Sequence, residues 1–392
     1  MGPHCGPLLP GNETAMFFKL DGDQLAEFDA KLAPDIITFN TSTGAVLRSL
    51  AARRGWGAAV RALIGQVVSP DPEAGALVQG NLDRKRIRVP QIFSNKVVAG
   101  IYRRVKVTQA GLLKQALEAE IEAQVPDCTL IFNGSAYPES VLAAVSRTLP
   151  RVFVEGGFFP NTLQIDPKGL NGANSIPRSP EFYRAADFAS EGLPKTVNNR
   201  PSKRQFEKVD LAPGFVFVPF QVPSDMQVTL HSPWVRDMAH FLEVVTAAAE
   251  DNPDEVFVIK EHPSFKHSVK NHLPPHPRVI FANGNITSEL LEQSRAVMTL
   301  NSTVGIEALL HDKPVITLGE ACYNIEGLVQ RAQDTAALNK ALQNRDFRPD
   351  EMLRQQFLGY LWNRYLLHGS YNDLPDNLAF ELRRRAGQDI IS

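Results

Sequence analysis

Cysteine is scarce in this chain, and the three present (Cys5, Cys128, Cys322) lie far apart with no metal-binding or redox spacing. That excludes a disulfide framework and fits reduced thiols in a cytosolic protein. Long apolar runs are missing too. Nothing approaches the roughly 18 consecutive apolar residues of a membrane span, so membrane association is expected to be peripheral at most. Neither sign of charge dominates: the net charge is -2 with 21% charged residues, which gives no global reason to expect a nucleic-acid partner. Two local basic clusters, Arg84-Lys85-Arg86 with Arg88 and Arg383-Arg384-Arg385, read as solvated faces. No internal repeat stands out. The Pro/Gly-containing start, Met1 to Pro7, lacks a basic-then-apolar signal pattern and reads as a flexible leader.

What the chain does have is alternation. Short apolar runs are spaced by helix-period segments, the pattern of an α/β fold with largely parallel sheets. Strands are expected at Ile36–Phe39, Thr129–Phe132, Val152–Val154, Phe215–Val218, Val256–Ile259, Val279–Phe281, Val297–Leu300 and Val315–Leu318. Helices are expected at Leu112–Glu122, Pro138–Arg147, Pro233–Ala249, Ser288–Ser294 and Thr303–His311. At 392 residues the chain exceeds what one core usually supports, so two Rossmann-like domains are expected, 1–200 and 201–345. A polar stretch from about Glu191 to Asp210 reads as the linker between them. Residues 346–392 then form C-terminal helices packing back on the N-terminal domain; the aromatics of Pro349–Leu367 read as core packing.

Polar residues cluster just after the strands, where open α/β sheets bind ligands. Lys260-Glu261-His262-Pro263 follows one apolar run, and Asn301-Ser302-Thr303-Val304-Gly305-Ile306-Glu307 follows another. In extended backbone Lys260 and His262 share a face, placing two potential cations together, and Pro263 keeps His262 out of a helix. Asn301, Ser302 and Thr303 form a helix start; Gly305 allows close backbone approach, and exposed N–H groups there suit a phosphate. Glu307, a turn further on, is placed for ribose hydroxyls. The plain alternative is an ordinary capped helix. Together the two segments suit an enzyme acting on a nucleotide-activated substrate. Glu155, in Val154-Glu155-Gly156-Gly157, puts a carboxylate at a strand end, and Asp225 follows the first strand of the second domain. A loop-anchoring Glu and an Asx turn or cap are the structural alternatives. The stretch Leu163 to Gly172 reads as a turn-rich loop. No Asp-x-Asp pair follows any of these strands, so metal independence is expected.

Several ordered motifs resemble capsule-polysaccharide synthesis and export proteins, among them the bacterial retaining β-Kdo glycosyltransferases. They are Glu155-Gly156-Gly157-Phe158, Gly169-Leu170-Asn171-Gly172-Ala173-Asn174-Ser175-Ile176-Pro177-Arg178, Pro219 to Asp225, His231-Ser232-Pro233 and the two segments above. The resemblance runs from about Asn133 to Gly327, with a weaker echo at Leu358 to Ser370. It implies a GT-B fold and CMP-β-Kdo as donor substrate, with no cofactor. It also implies Kdo transfer, with retention, to a capsule, O-antigen or lipid-linked glycan at the inner face of the inner membrane, alongside other glycan-assembly proteins. His262-Pro263 and Ser302-Thr303 correspond to CMP-binding motifs of such enzymes, and Asn133, Gln221, Ser224, Asn171, Asn174 and Arg178 are candidates for a substrate loop. Retention by two displacements needs a nucleophile and a separate acid/base group; Asp225 and Glu155 are the candidates, with the roles interchangeable. His262 would join them at the departing phosphate. The alternatives are an inverting CMP-sialic-acid transferase, whose paired-acid motif reads here as Glu155-Gly156-Gly157 without its second acid, a nucleotide-sugar epimerase, and a non-catalytic assembly or export subunit.

Overall fold

The computed structural model describes residues 16–185, 187–188, 192–194, 206–264 and 267–387. The leader at Met1–Pro7 and most of the expected linker lie outside these residues. At the linker's end Val209 is held by Asn285, whose side chain bonds both its N–H and its carbonyl at 2.9 Å.

The first half of the chain runs β1 (Phe17–Leu20), α1 (Ala26–Leu32) and β2 (Ile36–Phe39). A helical layer follows: α2 (Thr43–Arg54), α3 (Trp56–Val68), α4 (Pro72–Leu77), α5 (Gln79–Arg88), α6 (Pro90–Phe93) and α7 (Lys96–Gln124). Then come β3 (Cys128–Phe132), α8 (Glu139–Val145), β4 (Arg151–Gly156), β5 (Thr162–Asp166) and α9 (Pro180–Arg184). The second half contains β6 (Val216–Pro219), α10 (Met226–Thr229), α11 (Met238–Asp251), β7 (Phe257–Lys260) and β8 (Val279–Phe281). It continues with α12 (Thr287–Gln293), β9 (Ala296–Thr299), α13 (Val304–Leu310), β10 (Val315–Thr317), β11 (Gln330–Arg331) and α14 (Thr335–Gln343). The chain closes with α15 (Glu351–Tyr360), a π-helical turn (Leu361–Tyr365), β12 (Leu367–His368) and α16 (Leu378–Ala386).

Two six-stranded sheets result, in the orders β12-β5-β4-β3-β1-β2 and β11-β10-β9-β6-β7-β8. The second is parallel throughout. Its strands Val216-Phe217-Val218 and Phe257-Val258-Ile259 are wholly buried, as unbroken apolar runs must be when helices cover both faces. In the first sheet β2, β1, β3 and β4 are parallel, β5 runs antiparallel to them, and β12 pairs antiparallel with β5. Of the segment Leu163 to Gly172, read as loop from the sequence, Leu163–Asp166 is therefore strand. β5 borders β4, and its last residue, Asp166, is fully buried, accepting bonds from the N–H groups of Lys168, Gly169 and Ser175.

Side-chain caps set the helix starts. Asn95 accepts from Val97 and Val98 ahead of α7, and Asp237 accepts from the His240 N–H at 2.8 Å, so α11 begins there and not at Pro233. After α15 the chain returns to the first sheet, where β12 pairs with β5 and α16 places Leu378 and Leu382 against Val152, Val154, Leu163 and Ile165. Phe357, Tyr360 and Tyr365 are buried in the core. The Arg383–Arg385 cluster is not a purely solvated face. Arg385 is 2% exposed, with Nε donating to Glu381 at 3.1 Å and Nη1 donating to the carbonyls of Ile165 and Tyr365. Three polar groups thus hold a guanidinium that would otherwise be too costly to bury.

Candidate active site

Both sheets point the carboxyl ends of their parallel strands at a shared cleft, a cavity of about 470 Å³ lined from both halves of the chain. This is the two-Rossmann-domain, facing-cleft arrangement called GT-B. One wall carries Glu155, Gly157, Phe158, Gln164 and Asn171; the other carries Asp225, Lys260, His262, Ser302, Thr303 and Glu307.

Glu155 occupies the last turn-facing position of β4. Across the antiparallel pair its register partner is Gln164, so both side chains share a face and reach the cleft. The hairpin closes only because residue 157 is glycine: a Cβ there would lie 2.0 Å from Thr162 Oγ1. Asn133 adopts φ 58 just after β3, which aims its amide NH₂ at Glu155 Oε2, 2.7 Å away. The Ser135 hydroxyl donates to the opposite end of that amide and fixes its orientation. Burial pushes the Glu155 carboxyl up to about 7; the Asn133 bond opposes this, and the charge of Asp225 reinforces it. Tyr371, from the turn after β12, adds a third group. Its hydroxyl is buried, and its pKa is raised, first by burial and then by Glu155, with the Gly156 backbone opposing.

Across the cleft, Asp225 is exposed and caps the short α10, accepting from the Gln227 N–H at 3.0 Å through Oδ1. The cap fixes the carboxylate, and Asp225 also lines the cavity. Lys260 and His262 reach the same cavity, whereas Glu261 turns away and accepts from Val269 N–H, Ser268 Oγ and Asn283 Nδ2 at 2.8–2.9 Å. The Lys260 ammonium donates to the Asn285 carbonyl, and burial lowers its pKa. His262 Nδ1 accepts from the Ser264 N–H at 3.2 Å, so the neutral ring carries its proton on Nε2.

The helix start is more self-contained than the sequence suggested. The N–H groups of Gly305 and Ile306 bond the carbonyls of Ser302 and Thr303 at 2.9 Å, and Val304 N–H bonds Ser302 Oγ at 3.2 Å. At Gly305 the space a side chain would take is filled by Tyr323. A Cβ there would lie 2.4 Å from Tyr323 Oη, and that hydroxyl donates to Ser302 O at 2.5 Å. The glycine makes room for a tyrosine that braces the Ser302–Thr303 turn. Asn301, 2% exposed, accepts from Gln221 Nε2 and donates to the carbonyls of Gln227 and His231, strapping the β6 and β9 loops together. Arg178 is spent on Asn174 Oδ1 and the carbonyls of Gly172 and Ile176. Ser224 is buried and accepts from Arg88 Nε at 3.0 Å. Of the expected substrate loop, only Asn171 and Gln221 line the cavity, while Asn133 acts through Glu155.

Sequence reasoning missed Gln164, Gln227, Thr287 and Tyr371, all of which line the cleft. The Asp-x-Asp pair Asp21-Gly22-Asp23 was also passed over, because β1 before it was not recognised. Asp21 accepts from Asn40 at 3.2 Å, and neither aspartate lines the cleft. Among the described residues no cluster of three His, Cys, Asp or Glu is arranged to hold a metal.

A family model described as capsule polysaccharide biosynthesis protein matches residues 193–371. Protein FixF of Sinorhizobium fredii (strain NBRC 101917 / NGR234) is 54% identical over 366 residues, covering 93% of this chain and 91% of FixF. The chain belongs to the family of FixF. A more distant relative, the capsule polysaccharide export protein KpsS of Escherichia coli, is 27% identical, covering 53% of this chain and 69% of KpsS. Among solved structures, the Thermosulfurimonas dismutans KpsC beta Kdo 2,7 transferase aligns over 95% of this chain and 100% of its own, with 15% identity and a TM-score of 0.49.

The family match covers all of β6 to β12, and so the Asp225, Lys260–Pro263 and Asn301–Glu307 wall together with Tyr371, while Glu155 precedes it. No helix among the described residues is long and apolar enough to cross a membrane.

Proposed function

We propose that this protein is a retaining glycosyltransferase that moves β-Kdo from CMP-β-Kdo to a bacterial surface glycan by double displacement. The observation that carries this reading is Glu155, half-buried with its carboxyl pushed up to about 7, lining the same cleft as Asp225. Two carboxylates in environments this different are suited to different roles. Exposed and held by its cap, Asp225 is the nucleophile: its carboxylate attacks the anomeric carbon of Kdo, and the bond to the CMP phosphate breaks. Glu155 is the base. In the second step it takes the proton of the acceptor hydroxyl as that oxygen attacks the same carbon and releases Asp225. A base with a pKa near the working pH is the efficient choice, and two inversions give retention.

On the donor wall His262 Nε2–H and the hydroxyls of Ser302 and Thr303 are placed for the CMP phosphate, with Glu307 for the ribose. Lys260 offsets the repulsion between the sugar's own carboxylate and Asp225. Asn301 and Gly305 then position the Ser302 turn and do not touch the donor. The choice of CMP-Kdo over another activated sugar rests on the motif resemblance, and no metal is required in this scheme.

The experiment is product NMR after incubation with CMP-Kdo, EDTA and a small panel of acceptor glycans. A β-linked Kdo product supports the reading. An α-linked product would point to an inverting enzyme, and the absence of both donor hydrolysis and transfer to any acceptor in the panel would favour an assembly or export subunit.

A further inference from the structure

The helical layer between β2 and β3 leaves an apolar face that the transfer chemistry does not use. Of fifteen large apolar side chains that are substantially exposed among the described residues, ten lie between Trp56 and Val105. On α3 they recur at helical spacing: Trp56 is 66% exposed, Val60 50%, Ile64 57% and Val68 73%. On the first turns of α7 the series is Val97, Ile101 and Val105, at 69%, 62% and 49%. The two stripes meet where Arg104 donates to the carbonyls of Val67 and Val68. At the helical rise of about 1.5 Å per residue the stripes run about 18 Å along α3 and about 12 Å along α7. A face this long and apolar is costly to leave in water and marks a docking surface.

Its surroundings identify what docks. Between Arg53 and Lys106 the chain carries eleven Lys and Arg against three Asp and Glu, a net of +8, in a chain whose total is -2. Two of the three acids, Asp71 and Glu73, are bridged to Lys114 at 2.9 and 2.6 Å. Arg61 lies within the α3 stripe, and Lys96 and Arg104 flank the α7 stripe. The same layer reaches the cleft, because Arg88 of α5 bonds Ser224, the neighbour of Asp225. We infer that the α3–α7 face docks on an anionic lipid bilayer, its apolar residues entering the headgroup boundary and its guanidinium and ammonium groups meeting the lipid phosphates. A second copy of the chain fits poorly, since a two-fold contact would set this positive segment against itself. Nothing in this surface depends on which sugar the cleft transfers.

Vesicle flotation of the full chain tests it, using phosphatidylcholine vesicles with and without about one third phosphatidylglycerol. The protein should float with the anionic vesicles at low salt, be released as salt rises, and bind pure phosphatidylcholine at least ~10-fold more weakly. Ile64→Ser/Ile101→Ser, and separately Arg61→Glu/Lys96→Glu, should each weaken binding to anionic vesicles at least ~10-fold with an unchanged melting temperature, since all four positions are exposed. Absence of binding to anionic vesicles, or variants that bind as the parent does, would overturn the inference. So would a dimer that Ile64→Ser/Ile101→Ser dissolves without any lipid binding, which would give the face to a second copy.

Discussion

Replacing Glu155 by glutamine should make the protein more stable at alkaline pH while stopping transfer. The carboxyl is held at about 7 in the folded chain against an ordinary value of 4.5, with burial as the main cause. Its folded pKa is raised, so its contribution to stability is fully present below about pH 4.5 and is lost as pH rises through about 7. That difference corresponds to about 3 kcal/mol at most, and water in the open cleft trims it to about 1–3 kcal/mol. Glutamine has nearly the same shape, keeps a carbonyl oxygen to accept the 2.7 Å bond from Asn133, and never ionises. Denaturant unfolding of parent and Glu155→Gln between pH 4.5 and 8.5 measures the effect. The curves should converge at the acidic end and separate in favour of the variant as pH rises. A variant that is less stable at pH 8.5, or offset by the same amount at every pH, would refute the account of a destabilised carboxylate kept for chemistry.

The pH dependence of kcat/KM for the acceptor should rise through a single ionisation near 7, where Glu155 becomes a base, and Asn133→Ala should move that ionisation upward by removing the bond that opposes the shift; an unmoved profile would separate Asn133 from the base. Gly305→Ala should cost about 1–3 kcal/mol by overpacking against Tyr323, whose hydroxyl lies 2.4 Å from the new Cβ, and should raise KM for the donor more than it lowers kcat. Arg385→Ala should destabilise the chain by about 2–4 kcal/mol, because it leaves two buried carbonyls unpaired while Glu381 keeps Arg384, readable as a lower melting temperature.

Much of the fold was legible because the central strands are unbroken Val, Ile and Phe runs, whose burial on two faces leaves no other reading. β1 escaped because Lys19 interrupts Phe17-Phe18-Lys19-Leu20. That lysine is wholly buried and paired with Asp29 at 2.9 Å, a long-side-chain solution that composition does not advertise. β5 escaped for a similar reason, since Gln164 and the buried Asp166 replace the apolar alternation. α3 was obscured by an outer face that is apolar where a solvent face would be polar. In the cleft, Glu155 and Asp225 stood out as carboxylates beside strand ends. Tyr371 did not, because it reaches Glu155 only after the chain crosses back and adds β12 to the first sheet. Asn301 and Gly305 were assigned to the ligand by their motif, whereas their side-chain space is filled by Gln221 and Tyr323.

The most direct test of the central claim is intact and peptide mass spectrometry of Glu155→Gln incubated with CMP-Kdo and no acceptor. The first displacement does not need Glu155, so the account predicts a covalent Kdo on the peptide containing Asp225, and none on Asp225→Asn/Glu155→Gln. A wild-type enzyme that makes product while Glu155→Gln never carries the sugar, or carries it on another residue, would contradict it.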